Sequence, residues 1–181
     1  MKIGFDLDKI FVDYPPLIPD GLIDRLYRKK ANGELLYRMP SRPEQLLRQM
    51  SHHPLLRPPI KKNISFLKSL AKDHHRLYLI SSRFGFLEEQ TSRLMKNLGL
   101  DRLFEGVYFN FTNEQPHIFK EKILASLHLD CYVDDDLYLL KYIAKNNPRT
   151  NFFWLCNQKD KSHLPTNIQA ISDLSQLSHY A

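Results

Sequence analysis

Two hydrophobic rhythms alternate along the chain. Short apolar runs, KIGFD (2–6), RLYLIS (76–81), GVYFN (106–110), CYVDDD (131–136) and NFFWLC (151–156), have the length and β-branched or aromatic content of buried strands. Between them lie segments whose apolar residues recur every three to four positions: IKKNISFLKSLAKD (60–73), FLEEQTSRLMKNLGL (86–100), PHIFKEKILASLHL (116–129) and LYLLKYIAKNN (137–147). That spacing predicts amphipathic helices, with Gly99 near the end of one of them. PTNIQAISDLSQLSHY (165–180) reads as a closing helix. Five strands separated by helices imply an α/β fold: a Rossmann-like parallel five-stranded sheet covered on both faces, with ligands beyond the carboxyl ends of the strands.

One stretch breaks the alternation. Residues 14–62 hold eight of the eleven prolines, in DYPPLIPDG, RMPSRP and HHPLLRPPIKK. Proline interrupts helices and stiffens turns, so this stretch reads as an insertion after the first strand. Within it GLIDRLYRKK (21–30) and RPEQLLRQM (42–50) have helical spacing, and Ser41 before Arg42 and Pro43 has the form of an N-cap and first turn. Two or three short helices are expected there, giving an α/β core of residues 1–13 and 63–181 and a small helical unit of 14–62.

Charge sharpens that division. The insertion carries ten Lys/Arg against four Asp/Glu, and the remainder sixteen of each, so the whole net charge of +6 lies in the insertion. With Tyr14, Tyr27 and Tyr37 interleaved, it suits an anionic ligand, although the same cations also serve as a solvated face. The composition, 43% hydrophobic, supports a packed core and excludes disorder over most of the chain. No run approaches a membrane span, and Cys131 and Cys156 belong to no metal-binding spacing, so the expectation is a cytoplasmic protein with two free thiols. The glycine-rich loops that cradle dinucleotides or nucleoside triphosphates are absent from the sequence. His52, His53, His74 and His75 fall in polar turns and read as solvated, and Trp154 reads as core.

The strand ends carry the chemistry. The first ends at Asp6, with Asp8 two residues on; the second ends at Ser81, Ser82 and Arg83; the fourth ends at Asp134, Asp135 and Asp136. Carboxylates gathered this densely repel one another unless a cation joins them, and hard oxygen donors favour Mg2+, which would in turn hold a phosphate. Asp136 is placed to cap the following helix.

In this order the residues resemble the haloacid dehalogenase superfamily of phosphohydrolases. IGFDLDKIF (3–11) is similar to its first motif in both aspartates, LYLIS with Ser81 to its second, Lys120 (with Lys122 as the alternative) to its third, and CYVDDD with Asp134 and Asp135 to its fourth. The resemblance spans essentially the whole chain. It implies Asp6 as nucleophile, Asp8 as general acid and base, Ser81 and Lys120 on the transferring phosphoryl group, and Mg2+ held by Asp6, the main-chain carbonyl of Asp8, and one or both of Asp134 and Asp135. Ser82 is a second choice for Ser81, and Arg83 pairs either with a substrate anion or with one of the acids. The chain departs from the family at Lys9, a cation beside the catalytic loop that either contacts substrate or points into solvent. The insertion occupies the position of a C1 cap, a lid that would choose the substrate.

The resemblance therefore implies a Mg2+-dependent phosphatase of small phosphorylated metabolites, and the cations and tyrosines of residues 14–62 make nucleoside monophosphates the first expectation. A protein acting on polynucleotide ends or bound to nucleic acid, and a catalytically silent binding protein on the same fold, are the alternatives.

Overall fold

The computed structural model describes residues 1–15, 28–31, 34–156 and 163–180. Six parallel strands form the main sheet: β1 (Lys2–Phe5), β4 (Arg76–Ser81), β5 (Gly106–Phe109), β6 (Cys131–Asp134), β7 (Asn151–Leu155) and β8 (Ile168–Ile171), in the order β5-β4-β1-β6-β7-β8. Two further strands, β2 (Arg28–Ala31) and β3 (Glu34–Tyr37), pair antiparallel in the inserted segment. The helices are α1 (Arg42–Ser51), α2 (Lys61–Lys72), α3 (Glu88–Leu98), α4 (Pro116–Leu127) and α5 (Leu137–Asn146).

Strand pleating divides the core in two. Ile3, Phe5, Leu77, Leu79, Cys131, Val133 and Phe153 enter one apolar cluster with Leu67 of α2 and Leu94 of α3. Their strand neighbours Tyr78, Ile80, Tyr132, Phe152 and Trp154 enter the other with Leu124 of α4 and Leu140 of α5. Alternate side chains of a strand face opposite ways, so runs apolar throughout are buried on both faces. Gly4 is the exception on β1: a Cβ there would come within 2.4 Å of Leu129 and 2.9 Å of Tyr132, so glycine lets the Tyr132 ring approach the strand.

Local signals set several boundaries. Ser41 and Glu44 form a capping box at the start of α1, Asp136 accepts from the Tyr138 and Leu139 N–H groups at the start of α5, and α3 ends on Gly99 with φ +62°.

Two expectations are corrected. The sheet has six strands, because residues 168–171, expected in a helix, form β8 against β7 and are followed by a 3-10 turn at Leu174–His179. Ile168, Ile171, Leu174 and Leu177 recur every third residue, which imitates a helix, yet Ile168 and Ile171 pack on opposite faces of the sheet. The inserted segment is also not purely helical. Arg28, Lys29 and Lys30 of the expected helix GLIDRLYRKK lie in β2, and the rest of that stretch falls outside the described residues. Ser41 onward does form helix α1, followed by a 3-10 turn at Pro54–Leu56.

The inserted segment is tied to the core where it leaves and returns. The Asp13 N–H donates to the Pro58 carbonyl at 2.9 Å and the Ile60 N–H to the Phe11 carbonyl at 2.9 Å. No described helix is long and apolar enough to cross a membrane.

Candidate active site

Because β4, β1 and β6 are neighbours, Ser81, Asp6 and Asp134 emerge side by side at one edge of the sheet. The Asp6 N–H donates to the Val133 carbonyl at 2.9 Å, which carries the β1–β6 ladder one residue beyond the strand. The Asp8 N–H then donates to Asp6 Oδ2 at 3.0 Å. The chain turns back at once, with the Phe11 and Val12 N–H groups both donating to the Leu7 carbonyl. Lys9 adopts φ +61° in that turn; its Nζ sits 2.7 Å from Asp13 Oδ1 and 4.4 Å over the Tyr14 ring. Lys9 is thus engaged with the exit of the inserted segment and does not line the cavity described below.

Lys120 comes up from α4 between two acids. Its Nζ donates to Asp6 Oδ1 at 2.7 Å and Asp134 Oδ2 at 2.6 Å, and all three side chains are buried. Tyr132, two residues before Asp134, donates its hydroxyl to the same Asp134 Oδ2 at 3.0 Å. The Asp136 N–H donates to Asp134 Oδ1 at 3.0 Å, and Trp154 Nε1 fixes the Asp135 carbonyl at 3.0 Å. Lys122, the alternative to Lys120, lies on the surface beside Glu114 at 2.8 Å.

Burial dominates the electrostatics of this cluster. Burial, opposed by Lys120 and reinforced by Asp134 and Asp8, pushes the Asp6 carboxyl up to about 7. Asp135 is driven well above the usual carboxylate range by burial and then by repulsion from Asp134, Asp6 and Asp136. Lys120 is held charged well above its ordinary value, because Asp134 and Asp6 outweigh its desolvation. Oxygens of Asp6, Asp134 and Asp135 lie within 4.8 Å of one another. These are hard donors at one point, two of them, Asp6 and Asp135, raised by burial and by their neighbours' charge, so the residues present fit a divalent cation of the Mg2+ type.

Asp8 has different surroundings. Arg83 grips it from the turn after β4, Nε to Oδ2 at 2.9 Å and Nη2 to Oδ1 at 2.7 Å, while Nη1 reaches Thr91 Oγ1 at 3.2 Å. Arg57, from the returning end of the inserted segment, donates its Nη2 to Oδ1 as well. Burial would raise the Asp8 carboxyl, but Arg83 and then Arg57 hold it well below the usual range. Of the two partners left open for Arg83, the acid is the one this geometry shows.

The cavity over these groups has a volume of about 160 Å3. Its floor is Asp6, Asp8, Ser81, Lys120 and Asp134–Asp136; its walls include Ser82, whose buried Oγ has no described hydrogen-bond partner, and Tyr14, Tyr37 and Phe84. Tyr37, at the end of β3, donates its hydroxyl to Asp136 Oδ2 at 2.9 Å and exchanges backbone hydrogen bonds with the Gln115 side chain at 3.0 and 3.2 Å. Of the site residues expected from the sequence, Asp6, Asp8, Ser81, Ser82, Arg83, Lys120, Asp134 and Asp135 line this one cavity, whereas Lys9 and Lys122 do not and Tyr27 lies outside the described residues.

Three residues of the inserted segment, Arg48, Arg57 and His52, reach the site or its gripping arginines although the sequence did not place them there, while Tyr37, expected near an anionic ligand, does line the cavity. His52 corrects an expectation: it is buried, with Nδ1 2.8 Å from the Arg48 carbonyl. Its imidazole is pushed down to about 3 by burial and then by Arg83 and Arg57. Helix α1 turns its polar side inward, so a histidine in a polar run is buried here; its spacing four residues after Arg48 was the available signal.

No family model and no curated protein matches the sequence. Solved structures do. A protein from Thermotoga maritima assigned as a beta-phosphoglucomutase has a TM-score of 0.65 at 14% identity, with 100% of both chains covered. A haloacid dehalogenase-like hydrolase from Bacteroides fragilis gives 0.64 at 16%, covering 97% of this chain and 98% of that one. The D,D-heptose 1.7-bisphosphate phosphatase of B. bronchiseptica, complexed with magnesium and phosphate, gives 0.56 at 13% over 100% of both. This chain has the haloacid dehalogenase-like hydrolase fold.

Proposed function

We propose that the chain is a Mg2+-dependent phosphomonoester hydrolase of small phosphorylated metabolites, and that residues 14–62 act as its substrate-selecting cap. The observation that carries this reading is the Asp6–Lys120–Asp134 cluster, at 2.7 and 2.6 Å, on the floor of a cavity that Asp8 also faces. Asp6, Asp134, Asp135 and the Asp8 carbonyl would hold Mg2+, which supplies charge neutralisation between an incoming phosphate and the carboxylates.

Asp6 attacks phosphorus: an Oδ–P bond forms as the bond to the leaving oxygen breaks, and Asp8 delivers a proton to that oxygen. Water then attacks the aspartyl phosphate, its proton passes to Asp8, the Oδ–P bond breaks and inorganic phosphate leaves. Ser81, Ser82 and Lys120 donate to the phosphoryl oxygens throughout, Lys120 from a position fixed by two carboxylates. The rings of Tyr14, Tyr37 and Phe84, together with Arg48, favour an anionic leaving group that carries a ring, so nucleoside monophosphates come first among candidates. Mg2+-dependent hydrolysis of an aryl phosphate, abolished in Asp6→Asn and reduced in Asp8→Asn, is expected. Turnover equal in Asp6→Asn and the native protein would sink the reading.

One observation favours a second reading, a silent site. Both oxygens of Asp8 are taken by guanidinium groups in this arrangement, so substrate has to displace Arg57 or Arg83 before Asp8 can carry a proton. Folded protein that binds Mg2+ by calorimetry but hydrolyses no phosphate ester in a broad panel would favour it.

A further inference from the structure

The hydroxyl of Tyr132 sits where packing alone asks for no polar atom. Its residue lies on β6 with no exposed surface, in the apolar layer formed with Ile80, Leu124, Leu129 and Phe152. The register partner on β7 is Phe152, equally buried, whose ring meets that of Tyr132 edge-on at 6.2 Å and fills the same layer without a hydroxyl. A hydroxyl is costly to bury unless it finds a partner, and this one is directed at the acidic cluster. Its single proton points to Asp134 Oδ2 at 3.0 Å, with the Ile80 carbonyl farther off at 3.4 Å. The ring reaches that place because residue 4 is glycine: a Cβ there would lie 2.9 Å from Tyr132.

The hydrogen bonds on Asp134 then limit what it can offer an ion. An ionised carboxylate has about four lone-pair positions, shared equally by its two oxygens. Oδ2 takes the Lys120 ammonium at 2.6 Å and the Tyr132 hydroxyl at 3.0 Å, and is filled. Oδ1 takes the Asp136 N–H at 3.0 Å and keeps a position free for a cation. Asp6 is loaded differently, with Lys120 on Oδ1 and the Asp8 N–H on Oδ2, one donor to each oxygen. Without the Tyr132 hydroxyl Asp134 would be loaded as Asp6 is, and both its oxygens could close on one ion. That difference separates two cations. Mg2+ demands near-octahedral geometry, which single oxygens from several carboxylates satisfy, whereas Ca2+ takes more oxygens in a looser shell and readily accepts both from one carboxylate.

We propose that Tyr132 is a positioning residue that, acting through Asp134, holds this carboxylate to one-oxygen ligation and so makes the site prefer Mg2+ to Ca2+. The inference rests on the proposed function, in which Asp6, Asp134 and Asp135 hold the cation. Tyr132 itself lies beneath the acids and is not among the residues that line the cavity.

The test is calorimetric titration of the metal-free full chain with Mg2+ and, separately, with Ca2+. Three proteins are compared: the native chain, Tyr132→Phe, and Tyr78→Phe, which removes the hydroxyl of another buried tyrosine in the same layer whose partner is Glu105. Expected is a native preference for Mg2+ over Ca2+ that narrows about tenfold in Tyr132→Phe and is unchanged in Tyr78→Phe. The same preference in the native chain and Tyr132→Phe would overturn the proposal. So would a proportionate weakening of both cations, which is what a merely structural hydroxyl gives, or an equal narrowing in Tyr78→Phe. A native chain that binds Ca2+ as tightly as Mg2+ would overturn it without any variant. A native chain that binds neither cation would instead remove the Mg2+ site itself, and the proposed function with it.

Discussion

Replacing Lys120 by methionine removes the cation that bridges Asp6 and Asp134 and keeps an unbranched side chain of nearly the same reach. The Lys120 side chain is 3% exposed, and those of Asp6 and Asp134 are 8% and 2%, so neither carboxylate left behind can recover its hydration. Removing one partner from a buried ionic cluster costs about 3–5 kcal/mol, because the remaining charge stays buried without compensation. For a chain of this size that is roughly 6–20 °C in Tm. The loss has a sign in pH. A carboxyl whose folded value exceeds its unfolded value contributes stability below the unfolded value and loses it as pH rises through the folded one. Asp6 already stands raised from 3.8 to about 7 with Lys120 present, and the substitution raises it further. The deficit of Lys120→Met relative to the native chain should therefore be small near pH 4 and grow through neutrality. Mg2+ should narrow it by mass action, since a cation at the same carboxylates replaces the missing charge. Urea unfolding in EDTA and in Mg2+, followed from pH 4 to pH 8, measures both effects. A deficit below about 1 kcal/mol at pH 8 in EDTA, or one independent of pH, would refute the reasoning.

Three further outcomes follow from single contacts. Gly4→Ala should destabilise by about 1–3 kcal/mol, because the new methyl meets Leu129 and the Tyr132 ring; an unchanged urea midpoint would mean both move aside freely. Burial raises the Cys131 thiol to about 11, and Cys156 is only half-buried, so limited alkylation of the native protein should label Cys156 first, by mass spectrometry, and Cys131 only on unfolding. Burial, Arg83 and Arg57 hold His52 neutral down to about 3, while the unfolded chain protonates it near 6.5, so native stability should fall as pH drops through that window. His52→Gln removes this term, and the two stability curves should converge toward acid pH; parallel curves would count against it.

Where the sequence was legible, one periodicity had one physical cause. Phe152, Phe153 and Trp154 are apolar in succession because β7 is covered on both sides, and Asp136 could be read as a cap because its carboxylate must meet free N–H groups at the start of α5. Strand β8 was illegible because Ile168 and Ile171, three apart, satisfy a helix pattern and a strand reaching both sheet faces equally well. Its pairing with β7 decides the matter, and that contact is not local.

The site divides along the same line. Asp6, Ser81 and Asp134 were legible because each ends an apolar strand, and the order β4-β1-β6 does the rest. Arg57 was not, because its partner Asp8 lies 49 positions away along the chain. Nothing local distinguishes an arginine folded back onto the turn after β1 from one left in solvent, and the prolines that flank it give only the end of the excursion. The backbone bonds at Asp13–Pro58 and Phe11–Ile60 turn that excursion into a loop with a closed base, which fixes where Arg57 must fall. The segment carrying the net charge thereby places a buried guanidinium on Asp8. On the proposed function, a substrate that requires the Asp8 proton would first have to compete with that contact, and the inserted segment would then govern the chemistry of the turn as directly as it shapes the cavity wall.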